Sequence, residues 1–393
     1  MLASLVLAAL PQYPMSSEHW RAALATPGGA LEFGLELWTI DLGQQLAVLI
    51  NGGERIDVPV ARWDERTLLL ELPHYDSRIT AELVEGKYVG TWEKQRGPAK
   101  RAQLAFTAQR EPAQVAARPV AHAPRFGGRW AVDFATDDTP AVAEFVELPM
   151  ARELTGTFLT TTGDYRYLAG RRGEELTLSC FDGAHAFLFK AKLQPDGTLA
   201  GDFWSGDWHH ETWTAQRDDA AALPDAFEAV KWDGKTRLAD LAFPDLEGKV
   251  TKLSDVAGAA TLLVVFGSWC PNCHDEAKVL AELDKKYRAR GLSIVGLAFE
   301  LTGERARDAE QVRIFAEKYG LTYPFLLAGT ADKEEATKAL KMLDRVRAFP
   351  TTIFVGADGT PRAVHSGFAG PATGDEHLKL VREFEQRIEA LLR

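Results

Sequence analysis

The feature that most narrows what this chain can fold into is a Cys270, Pro271, Asn272, Cys273 motif set between a buried strand and a helix. Residues Thr261–Ser268 open on an apolar, branched run, the composition of a strand covered on both faces. Beyond the motif, Ala277, Leu280, Leu283 and Tyr287 recur at helical spacing, so Pro271–Arg290 reads as a helix. Pro271 falls just inside the helix start, where its missing N–H costs nothing. Two thiols on the first turn of a helix make a redox pair, because the helix N-terminus favours the thiolate of the first one. Cys270 is the candidate nucleophile and is expected to lie exposed at the helix start. Cys273, sheltered one turn in, is the candidate resolving thiol, its partner in a redox-active disulfide.

A chain of 393 residues has room for two or three domains, each with an ample core. The net charge of −11 argues against nucleic acid as a partner and gives no pull toward anionic lipid. No apolar run reaches the roughly 18 residues of a spanning helix, so no transmembrane span is expected. Three cysteines in so long a chain exclude a disulfide scaffold. The short apolar stretch Leu2–Leu10 has the length of a signal-peptide core but lacks a basic flank. It reads as a secretion signal or as a small packed helix, and the absence of a polar face favours the signal. Residues 1–19 are accordingly set apart as a possible signal or N-terminal segment.

From about Trp20 to Arg217 the chain reads as antiparallel β, in short alternating runs separated by turn residues. An internal duplication with a period of about 110 residues runs through it. Leu31–Phe33 echoes Ala143–Phe145, and Gly53 falls opposite Gly163. Leu68–Leu70 matches Leu176–Leu178, and Gly86–Gly90 matches Gly197–Gly201. Both copies close on Ala-Gln-Arg, at Ala108–Arg110 and Ala215–Arg217. The copies are assigned to 20–110 and 127–217, each the size of a small barrel or sandwich, whether joined in one barrel or standing as two. A Pro- and Ala-rich linker separates them, and a second linker at Asp218–Asp225 precedes a mixed α/β region, 226–393. There, strand, helix, strand, an added helix and strand, then helix, hairpin and helix describe a thioredoxin fold with a central insertion. The expected elements after Pro271–Arg290 are strand Leu292–Phe299, helix Ala306–Tyr319, strand Tyr323–Leu327, helix Lys333–Leu343, strands Thr351–Val355 and Arg362–Ser366, and helix Glu376–Leu392.

The rival readings of the motif are metal and haem. Zinc needs a second ligand pair, and no other CxxC or spaced His pair completes one, so no metal site is assigned. Cys270–His274 satisfies the C-x-x-C-H haem-attachment spacing, but a motif wedged between a core strand and its helix leaves no apolar haem pocket. No cofactor is assigned, and His274 is expected to face solvent. Glu276 lies one turn beyond Cys273 on the same helix face. It can relay a proton to Cys273 or simply complement the helix dipole. Pro350, opening a strand after Phe349, is allowed at a first position or on an edge. Cys180 reads as a buried inert thiol, and His209, His210 and Glu211 as structural.

Trp269–Glu276, with Phe349, Pro350 and the two threonines after them, resembles the TlpA/ResA-like branch of the thioredoxin superfamily, over about the last 165 residues, the size of one domain. Those proteins are extracytoplasmic thiol–disulfide oxidoreductases, typically reducing protein disulfides. The resemblance implies Cys270, Cys273 and Glu276 as the catalytic set, with a cis proline at Pro350. It implies Trp269, Phe349 and Pro350 as the substrate-binding surface. It also implies a disulfide-containing protein substrate, an upstream membrane or periplasmic thiol reductant, and a periplasmic or cell-envelope location, cytoplasmic only if the N-terminal stretch is no signal. Thioredoxin itself carries a buried Asp six residues before its first cysteine, where this chain has Val264. The family often has a proline soon after the glutamate, where this chain has Ala277 and Lys278. Stretches of the β half, around Gly156–Arg166 and Ser179–Ala186, resemble segments ahead of the redox domain in some larger TlpA-like proteins. The single peroxidatic cysteine of peroxiredoxins sits in a Thr-x-x-Cys setting that this chain lacks. The alternative function is a redox-sensing or partner-binding envelope protein whose β module carries the binding.

Overall fold

The computed structural model describes residues 16–40, 43–111, 124–147 and 153–393. Leu2–Leu10 and most of the linker between the β copies lie outside the described residues. The first described strand begins at Ser16, so the β region starts within the segment set apart as 1–19.

Nine strands form the first sheet: β1 (Ser16–Thr26), β2 (Gly29–Thr39), β3 (Gln45–Asn51), β4 (Glu54–Val58), β5 (Val60–Trp63), β6 (Thr67–Leu72), β7 (Ser77–Val84), β8 (Lys87–Gly97) and β9 (Lys100–Arg110). Their order is β4-β3-β2-β1-β9-β8-β7-β6-β5. Alternation dictates which side is inner: in β9, Ala102, Leu104, Phe106 and Ala108 are buried and the residues between them exposed. The seam between β3 and β5 is bridged by a side chain: Gln45 donates through Nε2 to Trp63 O (2.6 Å) and accepts the Trp63 N–H through Oε1 (3.1 Å). That amide stands in for a backbone pair at an otherwise open edge.

The second sheet repeats the plan with β10 (Gly128–Phe134), β11 (Asp137–Glu147), β12 (Glu153–Thr160), β13 (Gly163–Asp164), β14 (Leu168–Arg172), β15 (Leu176–Phe181), β16 (Ala186–Leu193), β17 (Leu199–Ser205) and β18 (His209–Arg217). Here β11 pairs with β12 as well as β10, so the sheet closes on itself as a barrel. Two separate sheets therefore form, and the matched sequence pairs fall on corresponding strands, β2 with β11 and β6 with β15. Phe158, Phe189, Phe203 and Trp213 fill the second barrel, with Phe158 and Phe189 stacked at 4.3 Å. The two sheets are joined through one core: Phe181, at the end of β15, packs on Phe33 and Trp92 of the first. Asn51 fastens the joint, its side-chain amide exchanging two 3.0 Å hydrogen bonds with the Phe181 backbone.

A hairpin of β19 (Ala242–Pro244) and β20 (Val250–Lys252) leads into the α/β region. Its sheet has the order β23-β22-β21-β24-β25: β21 (Ala260–Phe266), β22 (Leu292–Glu300), β23 (Phe325–Thr330), β24 (Thr351–Gly356) and β25 (Pro361–Ser366). Pairs β21–β22 and β22–β23 are parallel, and β21–β24 and β24–β25 antiparallel. With helices α1 (Pro271–Tyr287), α2 (Arg305–Tyr319), α3 (Lys333–Ala339) and α4 (Asp375–Leu391), this is a thioredoxin fold. Every residue of the central strand β21 is buried, as its uninterrupted apolar run requires. Helix α1 runs unbroken past Ala277 and Lys278. Helix α3 stops at Ala339, short of the expected Leu343, because Leu340, Met342 and Leu343 turn into the core and Leu343 bridges to Trp232.

Candidate active site

The loop between β21 and α1 is pinned before the cysteines begin. Strand β21 ends at Phe266 rather than Ser268 because the carboxylate of Glu300 captures Ser268, accepting from its N–H at 2.8 Å and its hydroxyl at 2.7 Å. Burial pushes the Glu300 carboxyl up to about 7 against those hydrogen bonds. Trp269 Nε1 donates to Phe299 O at 2.9 Å, and its ring meets Phe349 edge-on at 5.6 Å. Gly267 is required there, because a Cβ on it would overlap the Trp269 indole.

Cys270 caps α1 and Cys273 lies on its first turn, both as free thiols. Cys270 is 7% exposed, contrary to the expectation of an open thiol. The reason is tertiary: the cis peptide Phe349–Pro350 closes over it, and its thiol donates to Phe349 O at 3.3 Å. Burial by itself would push the Cys270 thiol up. The hydrogen bond from Cys273, the N–H groups of Cys273 and Asn272, and the Lys94 ammonium together outweigh that and hold it below the ordinary 9.0. Cys273 is driven the other way, well above 9.0, by burial, by its hydrogen bond to Cys270 and by that neighbour's charge. Two thiols a turn apart are thus shifted in opposite directions.

Glu276 is buried on the same helix. Thr352 Oγ1 donates to its Oε1 at 2.5 Å, while Oε2 has no hydrogen-bond partner. Burial pushes this carboxyl up to about 8. A carboxyl poised there, one turn from Cys273, can exchange a proton close to neutral pH.

His274 does not face solvent; it is buried. Its Nε2 donates to Ser268 O at 2.7 Å, which leaves Nδ1 to accept from the Tyr319 hydroxyl at 2.8 Å. Burial drives the ring well below 6.5, so it is neutral. Both ring nitrogens are engaged, which leaves neither for an axial iron bond. Cys180 is buried within the second barrel, and burial raises its thiol well above 9.0. His209 and His210 pair with Glu211 (2.9 Å) and Asp202 (2.8 Å), on different strand faces.

The structure also brings to the site residues that the sequence analysis did not single out. Arg166 is buried among Glu54, Asp182 and Asp275, which come from the first sheet, the second sheet and α1. Tyr75 and His74 set their rings against His274, at 4.6 and 5.3 Å. No periodicity reports such long-range pairs. Glu300 had a local signal, a carboxylate ending the buried run of β22. A cleft of about 860 Å³ runs between the second barrel and α4, lined by Thr161, Arg347, Phe368 and Leu380 but by neither motif cysteine.

The AhpC/TSA family model matches residues 235–364. The thioredoxin-like protein YneN of Bacillus subtilis is 30% identical over 128 residues, spanning 33% of this chain and 68% of that protein. The chain belongs to the TlpA/ResA-like branch of the thioredoxin superfamily. The thiol-disulfide oxidoreductase ResA of Halalkalibacterium halodurans is 27% identical over 141 residues, 35% of this chain and 71% of that one. Among solved structures, a secreted Mycobacterium tuberculosis disulfide oxidoreductase homologous to E. coli DsbE covers 38% of this chain and 96% of its own, at 24% identity and a TM-score of 0.29. Among the described residues, no helix is long and apolar enough to cross a membrane.

Proposed function

We propose that this protein is an extracytoplasmic thiol–disulfide oxidoreductase that reduces protein disulfides through Cys270 and Cys273. The observation that carries the reading is the placement of the two free thiols, Cys270 capping α1 against Phe349 O and Cys273 one turn in, in surroundings that shift the first toward acidity and the second away from it. The Cys270 thiolate attacks one sulfur of a substrate disulfide, forming a mixed disulfide and expelling the other substrate sulfur as a thiolate, which takes up a proton. Cys273 then gives its proton to Glu276 in the fraction of molecules in which that carboxyl is ionised, a fraction that grows as the pH rises toward about 8, and attacks Cys270 Sγ. A Cys270–Cys273 disulfide forms, the second substrate thiol leaves, and two electrons have passed to the substrate. A membrane or periplasmic thiol reductant resets the pair. Trp269, Phe349 and Pro350 form the surface against which an extended substrate lies.

The test is a trap. With Cys273→Ala, Cys270 should accumulate mixed disulfides with disulfide-containing proteins, and Cys270→Ala should accumulate none. No adducts on Cys273→Ala would sink the mechanism.

The direct contact of the β sheets with α1 favours a second reading, in which they bind an envelope partner and the dithiol reports redox state. Equal partner binding by oxidised and reduced protein would exclude it.

A further inference from the structure

The β sheets do more than accompany the dithiol: a single turn of the second barrel lies across its flank. Thr161 accepts a hydrogen bond from Arg347 at 2.6 Å, on the segment that leads to Phe349 and Pro350. Thr162 meets Gly367 so closely that a Cβ there would sit 3.0 Å from its carbonyl. Gly163 lies against the side chain of Asn272, between the two cysteines, where a Cβ would overlap Asn272 Nδ2. Asp164 accepts from Gly370 N at 2.7 Å, and Arg166 is ion-paired with Asp275 on α1. The stretch Thr161–Arg166 therefore touches the proline loop, the first turns of α1 and the loop after β25. The first sheet adds a second contact: the turn after β6 presses Tyr75 and His74 onto His274, and Lys318 contacts His74 at 2.7 Å. Cys270, at the start of the helix that both contacts hold, is buried.

We infer that the β sheets form an intramolecular gate over the dithiol, and that a protein disulfide reaches Cys270 only when the Thr161–Arg166 turn lifts off. This rests on the dithiol reading above and names its regulation. The loops that the turn covers, around Phe349 and Phe368, are those an extended substrate would need. Arg166 is the latch: one buried guanidinium is ion-paired with Glu54, Asp182 and Asp275, carried by three parts of the chain. A partner that competes for those carboxylates or for the turn opens the site, so the closed form protects a thiolate-prone cysteine from casual oxidation.

The experiment measures iodoacetamide alkylation of Cys270 in the reduced full-length protein, read by peptide mass spectrometry, with Cys180 as the internal control for an intact barrel. Arg166→Met removes the latch. Gly370→Val wedges the contact from the thioredoxin side, since a Cβ there would meet Asp164 at 2.7 Å and Asp275 at 2.9 Å. Wild-type Cys270 should react slowly, and both variants should speed it by tenfold or more while Cys180 stays unmodified. Tenfold corresponds to about 1.4 kcal/mol in the opening equilibrium. Loss of the Arg166 charge would by itself slow a thiolate, so acceleration reports access rather than acidity. If Arg166→Met also exposes Cys180, its barrel has opened, and Gly370→Val decides. Wild-type alkylation at the rate of the denatured chain, or no acceleration in Gly370→Val, overturns the gate. Alkylation needs no substrate disulfide, so the gate and the exchange mechanism fail separately.

Discussion

Glu276→Gln should stabilise this protein, and increasingly so as the pH rises. Its carboxyl is buried, has one hydrogen bond, from Thr352, and leaves Oε2 without a partner. Burial lifts it from the usual 4.5 to about 8. Below about pH 4.5 the group is protonated whether the chain is folded or not, and it contributes nothing to the pH dependence. Between about 4.5 and 8 the unfolded chain releases the proton and the folded protein keeps it. Stability then falls by about 1.4 kcal/mol per pH unit. The loss reaches about 3 kcal/mol at pH 7 and levels off near about 5 kcal/mol above pH 8. Glutamine keeps the acceptor that Thr352 uses and cannot ionise, so the variant escapes this loss. Glu300 titrates in both proteins and cancels in the difference. Urea unfolding of the reduced protein should show near-equal midpoints at pH 4.5. At pH 7, with a slope of about 2 kcal/mol/M, the variant midpoint should lie more than about 1 M higher. Parallel profiles from pH 4.5 to 9 would refute the claim that Glu276 is buried and held protonated in the folded protein. If the proposed relay holds, the same variant should release mixed disulfides more slowly, most clearly near and above about pH 8, where Glu276 is ionised and free to take a proton.

Two further predictions concern the supports of the site. His274→Leu orphans Ser268 O and the Tyr319 hydroxyl, at a cost of about 1–3 kcal/mol for each buried group; an unchanged denaturation midpoint would mean that the ring does not pin the loop. Phe158→Ala empties the centre of the aromatic stack in the second barrel and should cost about 3–5 kcal/mol. A thermal shift corresponding to less than about 1 kcal/mol would contradict the packing described.

Chemistry carried by neighbouring residues was legible in the sequence. The run ending at Phe266, the proline at the first helical position and the two cysteines a turn apart report one another through local geometry, and all lie where that geometry requires. The alternation of Ala102, Leu104, Phe106 and Ala108 likewise announces its strand. Pairs of matching segments about 110 residues apart pointed to a repeated β plan, since each copy must bury the same inner face. Other features depended on groups distant in the chain. The burial of Cys270 and His274, the sharing of Arg166 among Glu54, Asp182 and Asp275, and the closure of the second sheet through β11 and β12 join residues that no spacing rule connects. An exposed helix start and a solvent-facing His274 follow from α1 considered alone. They fail because Phe349, Tyr319 and Tyr75 arrive from elsewhere and exclude water. Local sequence sets what each segment can do, but exposure and ionisation belong to the assembled surroundings, which exist only once the sheets and helices meet.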